Sequence, residues 1–284
     1  MKKPFLQRPL LSLTAALVLL LALSGPLSRP LYAAIPEGGR EAGQVLERHL
    51  EGRLNTAFDA SHKEIFSASE EGPLNYSTFY RSLKEFGRVT ENAEPVTDLG
   101  LSELDVYVIA GPSEEFKMTE IQALVRFVHD GGNLLVLLHV SRPVARLTEA
   151  FGITVSNFVV NENRDTVKGE SRDFYVTRFT AHPVTGGLER VAVFGTWGLL
   201  AERGGAVVAE TSPEAWADLN RNRAFDEGEP TQAFGIIAAK EYGRGKVVIV
   251  ADDAPFANAF INVGDNRALV DNVIMWFMEK DVLK

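Results

Sequence analysis

The stretch that most constrains the fold spans residues 104–139, which have the pattern strand, helix, strand. Residues 106–110 and 134–138 are continuous apolar runs, the pattern of strands covered on both faces in a parallel sheet. Apolar residues recur at helical spacing between them, at Ile121, Leu124, Val125 and Val128. A unit of this kind is nearly always parallel and right-handed, so the stretch predicts an α/β fold.

The intervening helix carries start and stop signals. Thr119 and Gln122 have the spacing of a capping box, and Gly131 and Gly132 supply residues that end a helix in a left-handed conformation. We therefore expect the helix to begin near Thr119 and to end before Gly131.

The N-terminal residues are predicted to be an export signal. Lys2, Lys3 and Arg8 precede an apolar run over residues 10–23, and small residues follow at 33–34. Residues 1–33 are therefore assigned to a signal peptide or, as the alternative, to an uncleaved N-terminal anchor. We expect an exported protein, periplasmic or associated with the cell envelope.

The rest of the chain is predicted to form one domain. Residues 34–57 form an N-terminal arm with a helix, and residues 58–284 form a single α/β domain with a β-rich insertion around 154–209. The first strand is expected at 63–68, and Asp265 is expected to cap the last helix. The net charge of −9 argues against nucleic acid as a partner, and membrane contact is expected only through an uncleaved N-terminal segment.

Several segments resemble the GIFT domain, which bacterial gliding-motility proteins share with an intraflagellar transport complex B subunit. They are residues 58–66 (FDASHKEIF), 110–120 (AGPSEEFKMTE), 127–135 and 151–153 (FGI). The resemblance covers roughly residues 55–276 and is most specific over 58–152. It implies a class I glutamine amidotransferase-like (flavodoxin-like) fold with a mostly parallel sheet flanked by helices. It also implies a non-enzymatic role in binding or scaffolding, with a polysaccharide or an envelope protein as the partner.

The position where an amidotransferase-like fold keeps its nucleophile has unusual chemistry here. After the strand at 134–138 the chain reads His139-Val-Ser141; it has no cysteine, and no Gly-x-Ser-x-Gly surrounds Ser141. The alternative to a binding domain is therefore a degenerate amidotransferase-like hydrolase that uses Ser141 and His139.

The same edge of the sheet predicts a ligand crevice, since ligands bind beyond the carboxyl ends of parallel strands. Polar side chains and turn residues in the loops after these strands are the candidates: Gly111, Pro112, Ser113, His139, Ser141, Arg142, Asp252, Asp253 and Asn258. The alternative is that Asp252 and Asp253 cap the following turn and that Asn258 bonds to the backbone.

A separate loop has the register of a calcium-binding EF-hand loop. Oxygen donors fall at the calcium positions as Asp218, Asn220, Asn222, the Ala224 carbonyl, Asp226 and Glu229. Arg223 stands where this loop normally needs glycine, and only three carboxylates are supplied. Calcium is the one cofactor predicted, and a solvated Asn/Asp-rich loop is the alternative.

Overall fold

The computed structural model describes residues 54–201 and 207–279, all within one compact unit, Gly52–Lys284. The predicted signal peptide and residues 34–53 of the predicted arm lie outside the described residues. Within the described part, no helix combines the length and apolar character needed to cross a bilayer.

The described residues form helices, strands and two short 3-10 turns (Pro183–Thr185 and Ala254–Phe256). In chain order the helices and strands are β1 (Leu54–Asp59), α1 (Ser77–Phe86), β2 (Gly87–Asn92), α2 (Asp98–Leu101), β3 (Val106–Ala110), α3 (Met118–His129), β4 (Asn133–Leu137), α4 (Ser141–Ala150), β5 (Ile153–Asn161), β6 (Thr166–Val167), β7 (Glu170–Val176), β8 (Arg178–Phe179), β9 (Val191–Phe194), β10 (Trp197–Ala201), β11 (Val207–Glu210), β12 (Trp216–Asp218), β13 (Gly235–Tyr242), β14 (Gly245–Val250) and α5 (Asn266–Met278).

The centre of the main sheet is parallel. Its strands lie in the order β2-β1-β3-β4-β14, and each neighbouring pair is parallel. With β14 as the fifth strand, this is the 2-1-3-4-5 order of flavodoxin-like folds. The predicted α/β fold of this class is confirmed.

An antiparallel extension continues from β14. It adds β13, β10, β5 and β12 in that order, and β11 and β8 join it through β13. A separate three-stranded antiparallel sheet is formed by β6, β7 and β9. The β-rich insertion predicted after α4 is therefore present, and it supplies much of the extension and the whole small sheet.

Helices cover both faces of the parallel strands, which explains why the strands are apolar throughout. On one face, Ile109 and Val136 pack with Leu124 of α3 and Leu147 of α4. On the other face, strand residues of opposite orientation pack with α1 and α5; examples are Val108, Leu135, Phe79 and Val273. Each strand thus buries both sets of alternating side chains.

The first strand is not where the sequence pattern placed it. Residues 54–59 form β1, paired with β2 and β3, whereas residues 63–68 are irregular and Lys63 has a left-handed φ of 50°. The prediction of a strand at 63–68 is wrong, and the end of the predicted arm at 54–57 is sheet. The apolar residues Ile65 and Phe66 lie in a loop that crosses the sheet edge.

Two predicted caps also differ. The helix α3 begins at Met118, and the Glu120 carboxylate accepts the Lys117 N–H at 2.8 Å, so Thr119 is not the cap. Asp265 precedes α5, but its Oδ2 accepts the N–H groups of Glu189 and Arg190, each at 2.8 Å. The Glu120 contact is a local one from the third helical position back to Lys117, whereas Asp265 accepts from residues that are distant in the sequence.

Candidate functional site

The loops after β1 and β3 meet at the carboxyl edge of the parallel strands. This is the switch point at which flavodoxin-like folds bind ligands. The loop after β1 crosses to the loop after β3: Ile65 N–H donates to Gly111 O at 3.0 Å, and Ser113 and Glu114 N–H donate to His62 O at 3.0 Å. The chain's own backbone therefore covers this edge between β1 and β3.

An exposed histidine stands beside that loop on a buried acidic support. His139 follows β4, and its Nδ1 lies 3.2 Å from Oδ1 of Asp253, which follows β14. Asp253 is 4 % exposed and also accepts the Tyr76 hydroxyl at 2.6 Å. An imidazole thus lies at the edge of the sheet, and its orientation is fixed by the buried Asp253.

Gly111 allows these groups to come together. Its φ of 62° is left-handed, and a Cβ there would lie 3.2 Å from Asp253 Oδ2 and 3.3 Å from His139 Cβ. A larger residue would strain the backbone and press on the pair. The predicted crevice residues Gly111, His139 and Asp253 are therefore brought together.

Two aromatic side chains contact His139. The Phe66 ring meets His139 edge to face, with centroids 5.0 Å apart. Trp197 Nε1 donates to the His139 carbonyl at 3.2 Å, and both aromatic side chains are half-buried. His139 is therefore in contact with one aromatic ring through its imidazole and with an indole N–H through its backbone carbonyl.

The electrostatics favour a protonated imidazole. The hydrogen bond to Asp253 raises the pKa of His139, and the charges of Asp253 and Asp252 add to this against the effect of burial. Burial and the neighbouring Asp253 charge raise the pKa of Asp252 to about 8. Burial also raises the pKa of Tyr76, which keeps the hydroxyl a donor to Asp253.

The other acidic and amide residues of the predicted crevice are used inside the fold. The Asp252 carboxylate accepts the N–H groups of Phe194 at 2.5 Å and Ala254 at 3.0 Å. Asn258 accepts the Thr78 N–H at 2.8 Å and donates to Gly72 O at 2.7 Å. Asp252 and Asn258 therefore fit the alternative interpretation, in which they support the following turn and bond to the backbone.

The remaining residues of the predicted crevice make contacts that do not involve the His139 imidazole. Ser113 Oγ donates to Lys63 O at 2.6 Å, next to the buried Pro112, and Arg142 forms an exposed ion pair with Glu115 at 3.0 Å. Ser141 is the first residue of α4 and is 8 % exposed. Within the described residues, no hydrogen bond joins its hydroxyl to His139.

A buried relay that the sequence analysis missed lies under the loop after β1. Asp59 Oδ2 is 2.7 Å from His62 Nδ1, and His62 Nε2 is 3.4 Å from Glu120 Oε2. Tyr107 donates its hydroxyl to Asp59 Oδ1 at 3.0 Å, and the His62 ring stacks on Phe116 with centroids 3.7 Å apart. Each of the three relay residues is 4 % exposed.

The relay behaves as an internal ion pair. Burial alone would lower the pKa of His62, but the hydrogen bond and charge of Asp59 raise it. Burial alone would raise the pKa of Asp59, but His62 lowers it by the same contacts. The direction in both cases favours a charged pair.

Asp59, His62 and Glu64 also have potential ligand atoms within 4.8 Å of one another. Both ring nitrogens of His62 already face carboxylates, however, and an imidazolium has no lone pair for a metal. The cluster therefore fits a role in holding the loop after β1 better than a metal site. The signal for it was the Asp-x-x-His spacing that begins at the last residue of β1.

The predicted calcium residues converge in one loop. Asp226 Oδ2 accepts the side-chain amides of Asn220 at 2.7 Å and Asn222 at 2.6 Å. The Glu229 oxygens accept the N–H groups of Leu219 at 2.9 Å and Asp226 at 3.0 Å. The loop is closed by its own side chains, and Ala224 lies within it.

The topology defines an α/β domain of flavodoxin-like order with a histidine at its carboxyl edge. The family described as "Domain of unknown function (DUF4350)" matches residues 68–274, and the chain belongs to this family. It is similar to the intraflagellar transport protein 52 homologs of Mus musculus (22% identity over 257 residues, 84% of this chain and 58% of that protein) and of Homo sapiens (21% identity, 84% and 56%). The chain thus spans somewhat more than half the length of these relatives.

Solved structures agree with this relation. The mmIFT52 N-terminal domain is similar over 81% of this chain and 100% of that chain, with a TM-score of 0.66 and 18% identity. A cytoplasmic protein from Salmonella typhimurium LT2 is similar over 80% of this chain and 100% of its own, with a TM-score of 0.52 and 14% identity. The predicted GIFT-like resemblance is confirmed, and at these identities the structures establish the fold alone.

Proposed function

We propose that this chain is a non-enzymatic binding and scaffold domain of the cell envelope. The proposal rests on the contacts of the two polar residues that follow β4, His139 and Ser141. His139 is exposed and held by buried Asp253, yet the Ser141 hydroxyl makes no hydrogen bond to it within the described residues. A hydrolytic serine needs a base within hydrogen-bond reach, whereas a ligand needs only an oriented polar group.

The ligand class that best suits this surface is a polysaccharide. The His139 side chain is 39 % exposed, and Nδ1 is directed to Asp253, which leaves Nε2 without a hydrogen-bond partner among the described residues. The Phe66 ring packs edge to face against the imidazole, and the Trp197 indole bonds to the His139 carbonyl. An imidazole with an aromatic ring beside it offers a hydrogen bond to sugar hydroxyls and apolar contact to sugar rings.

The envelope location follows from the N-terminal pattern. Residues 1–33 have the charge and apolar pattern of an export signal. A periplasmic or envelope-associated domain would meet polysaccharide, and the net charge of −9 disfavours nucleic acid.

A protein partner is the second candidate. The curated relatives are named for intraflagellar transport, and the solved mmIFT52 N-terminal domain shares this fold over its whole length. That likeness supports a scaffold role in which an envelope protein occupies the same edge of the domain.

The test is cosedimentation of the full chain with purified insoluble cell-wall polysaccharide, compared between two alanine variants. His139→Ala should lose at least about tenfold in apparent affinity, because it removes the hydrogen bond that the imidazole, oriented by buried Asp253, makes to the ligand. His129→Ala is the matched control: His129 is exposed and its Nδ1 also lies 3.1 Å from an acidic residue, Asp130, but it ends α3 before the amino end of β4, whereas His139 follows the carboxyl end of that strand. Equal binding by both variants would contradict the assignment of His139. If wild type fails to sediment, capture of an envelope protein that depends on His139 favours the second candidate.

The hydrolase alternative has one observation in its favour. His139 and Asp253 have the geometry of a general base and its orienting carboxylate. Incubation with a p-nitrophenyl ester separates the two ideas. Turnover that disappears in both Ser141→Ala and His139→Ala would establish a hydrolase, whereas the binding proposal expects no turnover above buffer.

A further inference from the structure

The loop at residues 218–229 holds a buried carboxylate oxygen without a partner. Asp218 is 2 % exposed, and its Oδ1 is fully buried with no hydrogen-bond partner among the described residues. Its other oxygen, Oδ2, accepts the Arg223 N–H at 3.1 Å. That bond holds the carboxylate, and with it Oδ1, against the backbone of the loop. A buried carboxylate oxygen without a partner costs free energy, and a bound cation would remove that cost.

The protein itself supplies no such cation in the described residues. None of Asp218, Asp226 and Glu229 forms an ion pair with a described lysine, arginine or histidine. Glu229 is only 9 % exposed, so a second carboxylate of the loop is also withdrawn from water. The loop has four acidic side chains against two arginines, Arg221 and Arg223, so its net charge is negative.

We propose that residues 218–229 bind a calcium ion, with Asp218 Oδ1 as its first ligand. The further oxygens come from Asn220, Asn222, the Ala224 carbonyl, Asp226 and Glu229, in the spacing of an EF-hand loop. The Asn220 and Asn222 amide oxygens each accept one backbone N–H, at 3.0 and 2.8 Å, and an amide oxygen has a second lone pair for a metal. Binding requires the two amide donors to leave Asp226.

The chemistry of the donors selects calcium over other metals. All the donors are oxygen atoms, which disfavours zinc because zinc prefers nitrogen and sulfur ligands. The set mixes carboxylates with amide and backbone oxygens, as calcium sites do. Magnesium requires a near-ideal octahedron and retains its water, whereas calcium accepts an irregular cage with a bidentate carboxylate. Three carboxylates place the affinity in the weak range of extracellular modules, roughly 0.1–1 mM.

One residue gives the proposal a variant that strengthens binding. Arg223 has a φ of 65°, a left-handed conformation, at the loop position that an EF-hand reserves for glycine. Arg223→Gly removes that backbone strain and one positive charge near the cation. It should bind calcium more tightly than the natural chain.

The experiment is thermal unfolding and calorimetric titration of the full chain with calcium chloride, against chelator and against magnesium at equal ionic strength. Calcium at about ten times its Kd should raise the melting midpoint by about 3–6 °C, with a smaller shift in magnesium. In chelator, Asp218→Asn should be at least as stable as wild type, because it removes a buried charge. Its affinity for calcium should be at least tenfold lower, so the calcium-dependent rise in the melting midpoint should be lost. Asp271→Asn, an exposed aspartate on α5 paired with Arg267 at 3.3 Å, is the matched control and should keep the shift.

Two results overturn the proposal. One is a wild-type midpoint and titration that are the same in calcium and in chelator. The other is a calcium shift in Asp218→Asn equal to that of wild type, since the ion would then bind elsewhere. If Asp218→Asn does not fold, Arg223→Gly decides: an affinity at least about threefold higher supports the site, and an unchanged affinity contradicts it.

Discussion

At the scale of single residues, the loop after β1 contains a carboxyl group whose ionisation opposes folding. Burial, followed by the charge of Asp59, raises the pKa of Glu64 from 4.5 to about 7. The folded state therefore holds this proton where the unfolded state has already lost it. By linkage, the Glu64 contribution to the free energy of unfolding falls as pH rises from about 4.5 to about 7.

Glu64→Gln should remove that fall. Glutamine keeps the oxygen that accepts the His62 N–H at 3.2 Å but cannot ionise. Because Glu64 is only half-buried, solvent screening reduces the effect, and we expect the variant to gain about 1 kcal/mol over wild type at pH 8 and little at pH 4.5. Urea unfolding at the two pH values measures this. Exposed Glu70→Gln should follow wild type at both, and a pH-independent offset in Glu64→Gln would show that its charge is not the cause.

At the scale of elements, the apolar pattern of the sequence predicted those helices and strands whose burial can be recognised from their own residues. The unit from β3 to β4 was predictable because its strands are apolar throughout and its helix has a regular apolar stripe. The strand β1 was missed because Asn55 and Thr56 make it look polar, and its burial arises only from pairing with β2 and β3. With β1 misplaced, Asp59 was not recognised as the last residue of a strand, nor His62 as a residue of the loop after it.

The candidate site divides in the same way. His139 and Asp253 were predicted to be near each other because the carboxyl ends of parallel strands share one edge. Tyr76 was not, since it lies 177 residues from Asp253 at the start of α1 and no spacing rule connects them. Phe66 was assigned to a strand and only the crossing of the loop brings it to His139.

The hairpin of β13 and β14 offers a test of how closely elements approach. Gly243 has a φ of 62°, and a Cβ there would lie 2.5 Å from His129 O at the end of α3. Gly243→Ala should therefore lower the free energy of unfolding by about 3 kcal/mol or more, from left-handed strain plus displacement of the hairpin from α3. Gly169→Ala is the control, because its φ of 84° is also left-handed but nothing lies within 4 Å of the added Cβ. It should lose only about 1 kcal/mol. Equal losses in chemical denaturation would mean that the α3 contact is relaxed easily.

At the scale of the whole molecule, the small antiparallel sheet depends on residues of the main fold. Its strand β9 is held by Asp252, which accepts the Phe194 N–H, and by Asn266 at the start of α5. Asn266 is fully buried; it accepts the Ala192 N–H at 2.9 Å and donates to Ala192 O at 3.2 Å and Phe260 O at 3.0 Å. One amide thus joins a helix of the main fold, the loop before it and the small sheet.

Asn266→Ala should for that reason be among the costly substitutions in this protein. It leaves a buried N–H and two carbonyls without their partner, and we expect a loss of about 2–4 kcal/mol in the free energy of unfolding. Asn272→Ala, on the same helix, removes donors to Val184 O at 3.2 Å and Gly186 O at 2.9 Å. Because Asn272 is only half-buried, water can replace these bonds and the loss should stay near 1 kcal/mol. Hydrogen exchange of the β9 amides completes the test. If Asn266→Ala speeds exchange in β9 more than in β3, relative to wild type, the damage lies at the small sheet. An equal increase in both strands would show that the two sheets unfold as one unit.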